Sequence, residues 1–378
     1  VNTGLLLSAQ SESEVASVLA HEIAHVTQRH IARLIDQQKR SQIVSIAALA
    51  VAILASRANS DVAGAATAFG QAGVVQSQLN FTRANEQEAD RIGVQILEKS
   101  GYDPHAMPAF FERLQRATRL SEGGAPSYLR THPLTYERIA DVQNRVQALP
   151  YRQVPDSLEF QLIRAKLKAS ADTPREALAF FEHSLNERKF LSEAAGRYGL
   201  VASLLRVQNH TRARKELEEL RKLGVVSPII DTLDCRLRVA SGETDSALAC
   251  YRDALKAHPN YRALIYDYAE ALLKNRQPQA VLKLVDERLR SVTEDHRLYL
   301  LQARSYAMLD KRLAQHRAQG EAYVRMGNLP AAIEQLQIAL KSGDGDFYQL
   351  SATEARLREI RRQNDELRKE AGKAAEKR

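Results

Sequence analysis

The segment VLAHEIAHVTQRH, residues 18–30, places three histidines and one acid close together. Imidazoles bind zinc and a neighbouring carboxylate can move protons, so the first question is which of these side chains can share an ion. Ser11 and Glu14 are spaced as a capping box, and Val15, Val18, Leu19, Ile23 and Val26 recur at helical spacing, which predicts a helix. Each residue of a helix turns about 100° from the last, so His25 falls roughly 40° from His21, one turn on, and His30 roughly 180° away. On that helix His21 and His25 can share an ion and His30 cannot. Glu22 lies beside the pair, placed to take a proton from water that the metal activates. This is H-E-x-x-H on a helix, the zincin arrangement. A catalytic zinc needs a third protein ligand and a position for water. The bland alternative is a surface helix with chance His and Glu, and the motif alone does not exclude it.

The context is FTRANEQEADRIG, residues 81–93. Glu86 and Asp90 are i,i+4 and share a face, while Glu88 points roughly 160° away from Glu86. A Glu there can reach the ion, and an Asp one turn later can hold a ligand histidine by its second nitrogen. The alternative is a solvated acidic face. Together, His21-Glu22-x-x-His25 and Glu86-x-x-x-Asp90 resemble the gluzincin metallopeptidases of the CAAX prenyl protease type. That resemblance implies one Zn2+ per chain, His21, His25 and Glu86 as metal ligands, Glu22 as general base and Asp90 as the group behind a ligand.

A third segment, LRTHPLTYERIADVQNR at residues 129–145, matches the family pattern H-P-x-x-x-E-R through His132, Pro133, Glu137 and Arg138. By itself a His before a Pro is the polar end of a loop. The resemblance implies that His132 lies on a loop and can fill the fourth metal position, displacing water as a self-inhibiting switch. It also places Arg138 near the site, as an anchor for Glu86 or a stabiliser of the developing oxyanion.

The elements that must position these residues come next. The chain has 378 residues, 44% of them apolar, enough for two or three domains with ordinary cores. Its net charge of +8 is spread out, and the densest run, EARLREIRRQNDELRKEAGKAAEKR, mixes signs at helical spacing. That reads as a solvated terminal helix, and with no aromatic-rich basic platform nucleic acid is set aside. VNTGLLLSA reads as a strand running into the zinc helix, within a small sheet that lacks its N-terminal part. The longest apolar stretch, IVSIAALAVAILA at residues 43–55, is shorter than the ~20 residues that span a bilayer. With DVAGAATAFGQAGVVQSQ it reads as a buried or lid-like helical hairpin over the cleft, and no transmembrane span is expected.

From about residue 155 small and apolar residues recur at a period near 34. Gly320, Tyr323, Ala332, Leu336 and Ala339 stand at tetratricopeptide spacing, and Ala247, Tyr251, Ala254 and Pro259 keep the same phase. About five repeats are expected, with residues 296–326 sharing helices between units. Such a solenoid offers a concave face to an extended chain, or merely braces its neighbour. Cys235 falls on the first helix of a repeat and Cys250 on the second. That geometry allows a disulfide, which suits an oxidising compartment; two buried thiols are the alternative.

The expected fold is therefore mainly α: a zincin-type α+β metallopeptidase domain over residues 1–150, then a tetratricopeptide-repeat solenoid over 155–378 closed by a capping helix. The resemblance extends to a periplasmic branch of the family in Gram-negative bacteria that carries such repeats. It implies a zinc endopeptidase acting on misfolded or stalled outer-membrane beta-barrel proteins, with their assembly machinery as a partner of the repeats. Two rivals remain: a chaperone or adaptor with little proteolysis, and a membrane-surface protease for general misfolded proteins.

Overall fold

The computed structural model describes residues 3–56, 60–120, 132–190 and 192–376. The chain divides into two compact units, Val1–Leu167 and Lys168–Arg378. The described residues are mainly helical and contain no strand. The stretch expected as a strand is instead helix α1, Thr3–Ser8. A strand needs a neighbour to satisfy its N–H and C=O groups. None is present among the described residues, so this run closes its bonds within itself, Ala9 N donating to Leu5 O at 2.9 Å. Leu5 and Leu6 then pack on the core of the first unit.

That unit continues with α2 (Glu12–Thr27), α3 (His30–Ser56), α4 (Ser60–Lys99), α5 (Ala106–Leu120), α6 (Tyr136–Gln147) and α7 (Leu158–Ala171). Helix α7 begins in the first unit and crosses the division at residues 167 and 168. Ser11 caps α2 by accepting from Glu14 N at 3.2 Å. The Glu14 carboxylate accepts from Gln10 N at 2.5 Å and pairs with Arg113 on α5. A second exchange ties helix ends far apart in sequence. Glu12 N donates to Asp156 at 2.6 Å, and Ser157 N donates to Glu12 at 2.8 Å. Acceptors at helix N-termini satisfy the first-turn N–H groups, which have no partner within the helix. Val15, Val18, Val94, Leu97, Phe110, Phe111, Ile139 and Val142 form the core that clamps α2, α4, α5 and α6 together. Of the apolar positions that mark α2 as helical, Val15 and Val18 are buried, whereas Leu19, Ile23 and Val26 are exposed.

Helices α3 and α4 pack against each other, as expected for a helical hairpin. The connection at 57–59 lies outside the described residues, as does the side-chain burial over most of 48–75, so the lid role falls there as well.

The second unit pairs helices in sequence: α8 (Pro174–Asn186), α9 (Glu193–Arg206), α10 (His210–Lys222), α11 (Pro228–Ala240), α12 (Thr244–Ala257), α13 (Arg262–Lys274), α14 (Pro278–Leu289), α15 (His296–Met308), α16 (Arg312–Arg325), α17 (Leu329–Leu340) and α18 (Phe347–Glu376). The repeat is visible in the backbone. Left-handed residues close α9, α11, α13 and α15 at Gln208, Gly242, Arg276 and Asp310, each 34 residues after the last. Gly320 marks a close approach: a Cβ there would lie 3.1 Å from Leu336 Cγ and 3.4 Å from the Ala332 carbonyl. Cys235 on α11 and Cys250 on α12 are joined by a disulfide.

Candidate metal centre

Three helices and one loop build the site. Helix α2 supplies His21 and His25, α4 supplies Glu86 and Asp90, the segment before α6 supplies His132, and α6 supplies Arg138. Helix α4 comes close because residue 93 is glycine. A Cβ there would sit 3.2 Å from His21 N, 3.3 Å from His21 Cα and 3.1 Å from Met107 Cε. Any side chain would push α4 away from the backbone of the first histidine.

His21 Nε2 and His25 Nε2 face one another at 3.0 Å. Glu86 lies 3.4 Å from His21 Nε2 through Oε2 and 3.3 Å from His25 Nε2 through Oε1. His132 Nδ1 completes the cluster, 3.4 Å from His21 Nε2 and 3.1 Å from Glu86 Oε1. All four ligand atoms lie within 4.8 Å of one another. Ligands held tetrahedrally at zinc–nitrogen and zinc–oxygen distances sit roughly 3.3 Å apart. The observed separations match that spacing, so the donor set fits zinc in chemistry and in size.

His21 is fully buried, with Nδ1 at 2.9 Å from Asp90 Oδ1. Burial disfavours its charge, but hydrogen bonds to Asp90 and Glu86 outweigh it and raise the pKa to about 9. Burial likewise works against the Glu86 carboxylate. The hydrogen bonds of His132, His21 and His25, with the nearby Arg138 guanidinium, hold it far below the usual range. Asp90 is held low against burial by hydrogen bonds from His21 and Arg138. Anionic Glu86 and Asp90 in a buried pocket call for cationic charge among the nitrogens.

Arg138 is 3% exposed and has its donors committed. It grips Asp90 through Nε at 2.7 Å and through Nη2 at 2.8 Å. Its Nη1 lies 2.9 Å from Glu86 Oε2 and donates to Pro133 O at 2.7 Å. It therefore ties together the carboxylate behind His21, the carboxylate of the donor set and the carbonyl next to His132. That geometry favours the anchor over the oxyanion role. Glu22 turns the other way, its side chain 45% exposed, with Oε1 at 3.4 Å from His132 Nε2.

Sequence spacing alone misplaced His30. Helix α2 stops at Thr27, Arg29 adopts φ 53°, and α3 starts at His30. The break swings His30 back to His25, with the two Nδ1 atoms 2.8 Å apart. Neither Gly nor Pro marks the break, so the helical pattern appeared to run through it.

A family model described as peptidase family M48 matches residues 1–146, and one described as tetratricopeptide repeat matches residues 238–305. The chain belongs to peptidase family M48 and is a metalloprotease with an appended repeat array. It is similar to the beta-barrel assembly-enhancing protease of Escherichia coli, at 31% identity over 366 residues, covering 96% of this chain and 74% of that one. It is 40% identical over 227 residues to the putative beta-barrel assembly-enhancing protease of Vibrio cholerae, covering 59% of this chain and 46% of that one. More distantly, the mitochondrial metalloendopeptidase OMA1 of Arabidopsis thaliana is 33% identical over 133 residues, covering 35% of this chain and 24% of that one.

Proposed function

We propose that this chain is a periplasmic zinc endopeptidase that cleaves stalled or misfolded outer-membrane beta-barrel proteins and engages them, or their assembly machinery, through its repeats. The observation that carries the catalytic half is the convergence of two imidazole nitrogens and a buried carboxylate beside the half-buried Glu22. The names of the relatives support the substrate class. The Cys235–Cys250 disulfide supports an oxidising compartment. No helix among the described residues is long and apolar enough to cross a membrane.

His21, His25 and Glu86 would hold one zinc ion. When bound, zinc supplies Lewis acidity, acidifying water and polarising the scissile carbonyl. Glu22 takes the proton of the attacking water and returns it to the leaving amine. Asp90 and Arg138 keep His21 and Glu86 oriented while charge shifts around them. His132 belongs to the resting state. Its Nδ1 lies among the donors and its Nε2 lies 3.4 Å from Glu22, so it engages both the metal position and the base. A substrate would have to displace it.

In the repeat unit Tyr299, Tyr306, Arg317 and Arg356 line a groove of about 570 Å³, a surface suited to an extended polypeptide. The test of the whole proposal compares wild type with Glu22→Gln on a misfolded barrel precursor. Cleavage should fall by about 10²–10⁴-fold with zinc still bound at one ion per chain. Undiminished cleavage by the zinc-loaded variant would remove Glu22 from the mechanism. Wild type that binds the precursor without cutting it would make the chain an adaptor instead.

A further inference from the structure

We propose that His30 is a positioning residue for the metal: it holds His25 by the second ring nitrogen and is itself held by Glu88, which Arg33 anchors. This rests on the reading of His25 as a ligand. The contacts form a chain. His25 Nδ1 lies 2.8 Å from His30 Nδ1, His30 Nε2 lies 3.2 Å from Glu88 Oε2, and Arg33 Nη1 donates to that same oxygen at 2.7 Å. His30 is 4% exposed, and its ring meets that of His25 edge-on at 83°.

Proton placement gives the chain a direction. An ionised carboxylate only accepts, so Glu88 requires the hydrogen of His30 on Nε2. His30 Nδ1 is then a lone pair, and it accepts the Nδ1–H of His25. That in turn leaves the lone pair of His25 on Nε2, the nitrogen that faces His21 and Glu86. The reverse arrangement would put a hydrogen on His25 Nε2 and close it to a cation. Glu88 thus selects the metal-binding tautomer of His25 through an intervening imidazole.

The two ligand histidines are then braced alike. Behind His21 stand Asp90 and Arg138; behind His25 stand His30, Glu88 and Arg33. Glu88 lies on α4 between Glu86 and Asp90, on a different face, and His30 links that face to His25. The turn at Arg29, with its left-handed φ, is what delivers His30 to this place.

The test uses the whole chain. Zinc affinity is measured by chelator competition in wild type, His30→Phe, His30→Gln, Glu88→Gln and His25→Ala, together with the thermal midpoint of each metal-free protein. His30→Phe keeps a ring but removes the acceptor, and it should bind zinc about 10–100-fold more weakly. Glu88→Gln should weaken binding in the same direction without lowering the metal-free midpoint. His30→Gln offers a carbonyl to His25 and should recover most of the affinity. At saturating zinc, the loss in His30→Phe should appear in kcat and leave KM unchanged. Wild-type affinity in both His30→Phe and Glu88→Gln, with His25→Ala weakened, overturns the inference alone. Should His30→Phe fail to fold, wild-type affinity in Glu88→Gln is sufficient to overturn it. Wild-type affinity in His25→Ala overturns the metal-centre reading and this inference with it.

Discussion

His132 touches both halves of the proposed catalytic apparatus, the donor cluster through Nδ1 and Glu22 through Nε2. Pro133 restricts the backbone before it to extended conformations, which suits a loop that projects one side chain inward. If that contact is a brake, His132→Ala should cleave a loosely folded substrate faster and bind zinc more weakly, since a donor is lost. Paired measurement of zinc affinity and turnover checks this; slower cleavage with unchanged zinc affinity would make His132 a participant in the transition state. The pairing of His21 with His25, and of Glu86 with Asp90, was legible because helical spacing is a local property and each pair lies within one helix. That Glu86 meets the histidines followed only from the family resemblance, since it joins two helices. The position of His30 was not, because Gln28 and Arg29 carry no signal that a helix ends there. The grip of Arg138 on Asp90 was also hidden, since it joins residues 48 apart in sequence.

Elements set the precision of the site through their distance of approach. Gly93 is the position where α4 meets the backbone of His21, and a methyl there presses on atoms that cannot rotate away. Gly93→Ala should cost about 1–3 kcal/mol by overpacking and should weaken zinc binding, read from denaturant unfolding and zinc titration. Unchanged values would mean that α4 shifts freely. In the repeat unit, Glu321 on α16 takes Arg356 from α18 at 2.7 Å and also pairs with Arg325. Burial raises its pKa, but the hydrogen bonds and fields of Arg356 and Arg325 win and lower it below 4.5. The stabilisation is therefore fully present above about pH 4.5 and fades as pH falls through the depressed folded value. The thermal midpoint of Glu321→Gln should lie below wild type at pH 7 and converge with it in acid; a gap that persists in acid would assign the effect to packing. The 34-residue repeat could be read from the spacing of small residues, and it reappears in the left-handed turns. The strand expected near the start could not be judged locally, because an apolar run of that length becomes strand or helix according to what lies beside it.

At the scale of the molecule, two different kinds of information specify two different units. The peptidase unit depends on long-range convergence: residues 21, 86, 132 and 138 meet only when α2, α4 and α6 share a core. The repeat unit depends on a local rule applied repeatedly, with the Cys235–Cys250 bond closing a 15-residue separation between partner helices. The first unit carries the peptidase chemistry, and the second is the repeat array proposed to hold a long substrate. Everything proposed for the activity passes through one claim, that the cluster of His21, His25 and Glu86 is a zinc site. Anomalous diffraction at the zinc absorption edge, from crystals of the zinc-loaded chain, tests that claim directly. The expected result is a single peak per chain about 2.0–2.2 Å from His21 Nε2, His25 Nε2 and a Glu86 carboxylate oxygen. A peak ligated by other residues, or none in protein loaded with zinc, would contradict it.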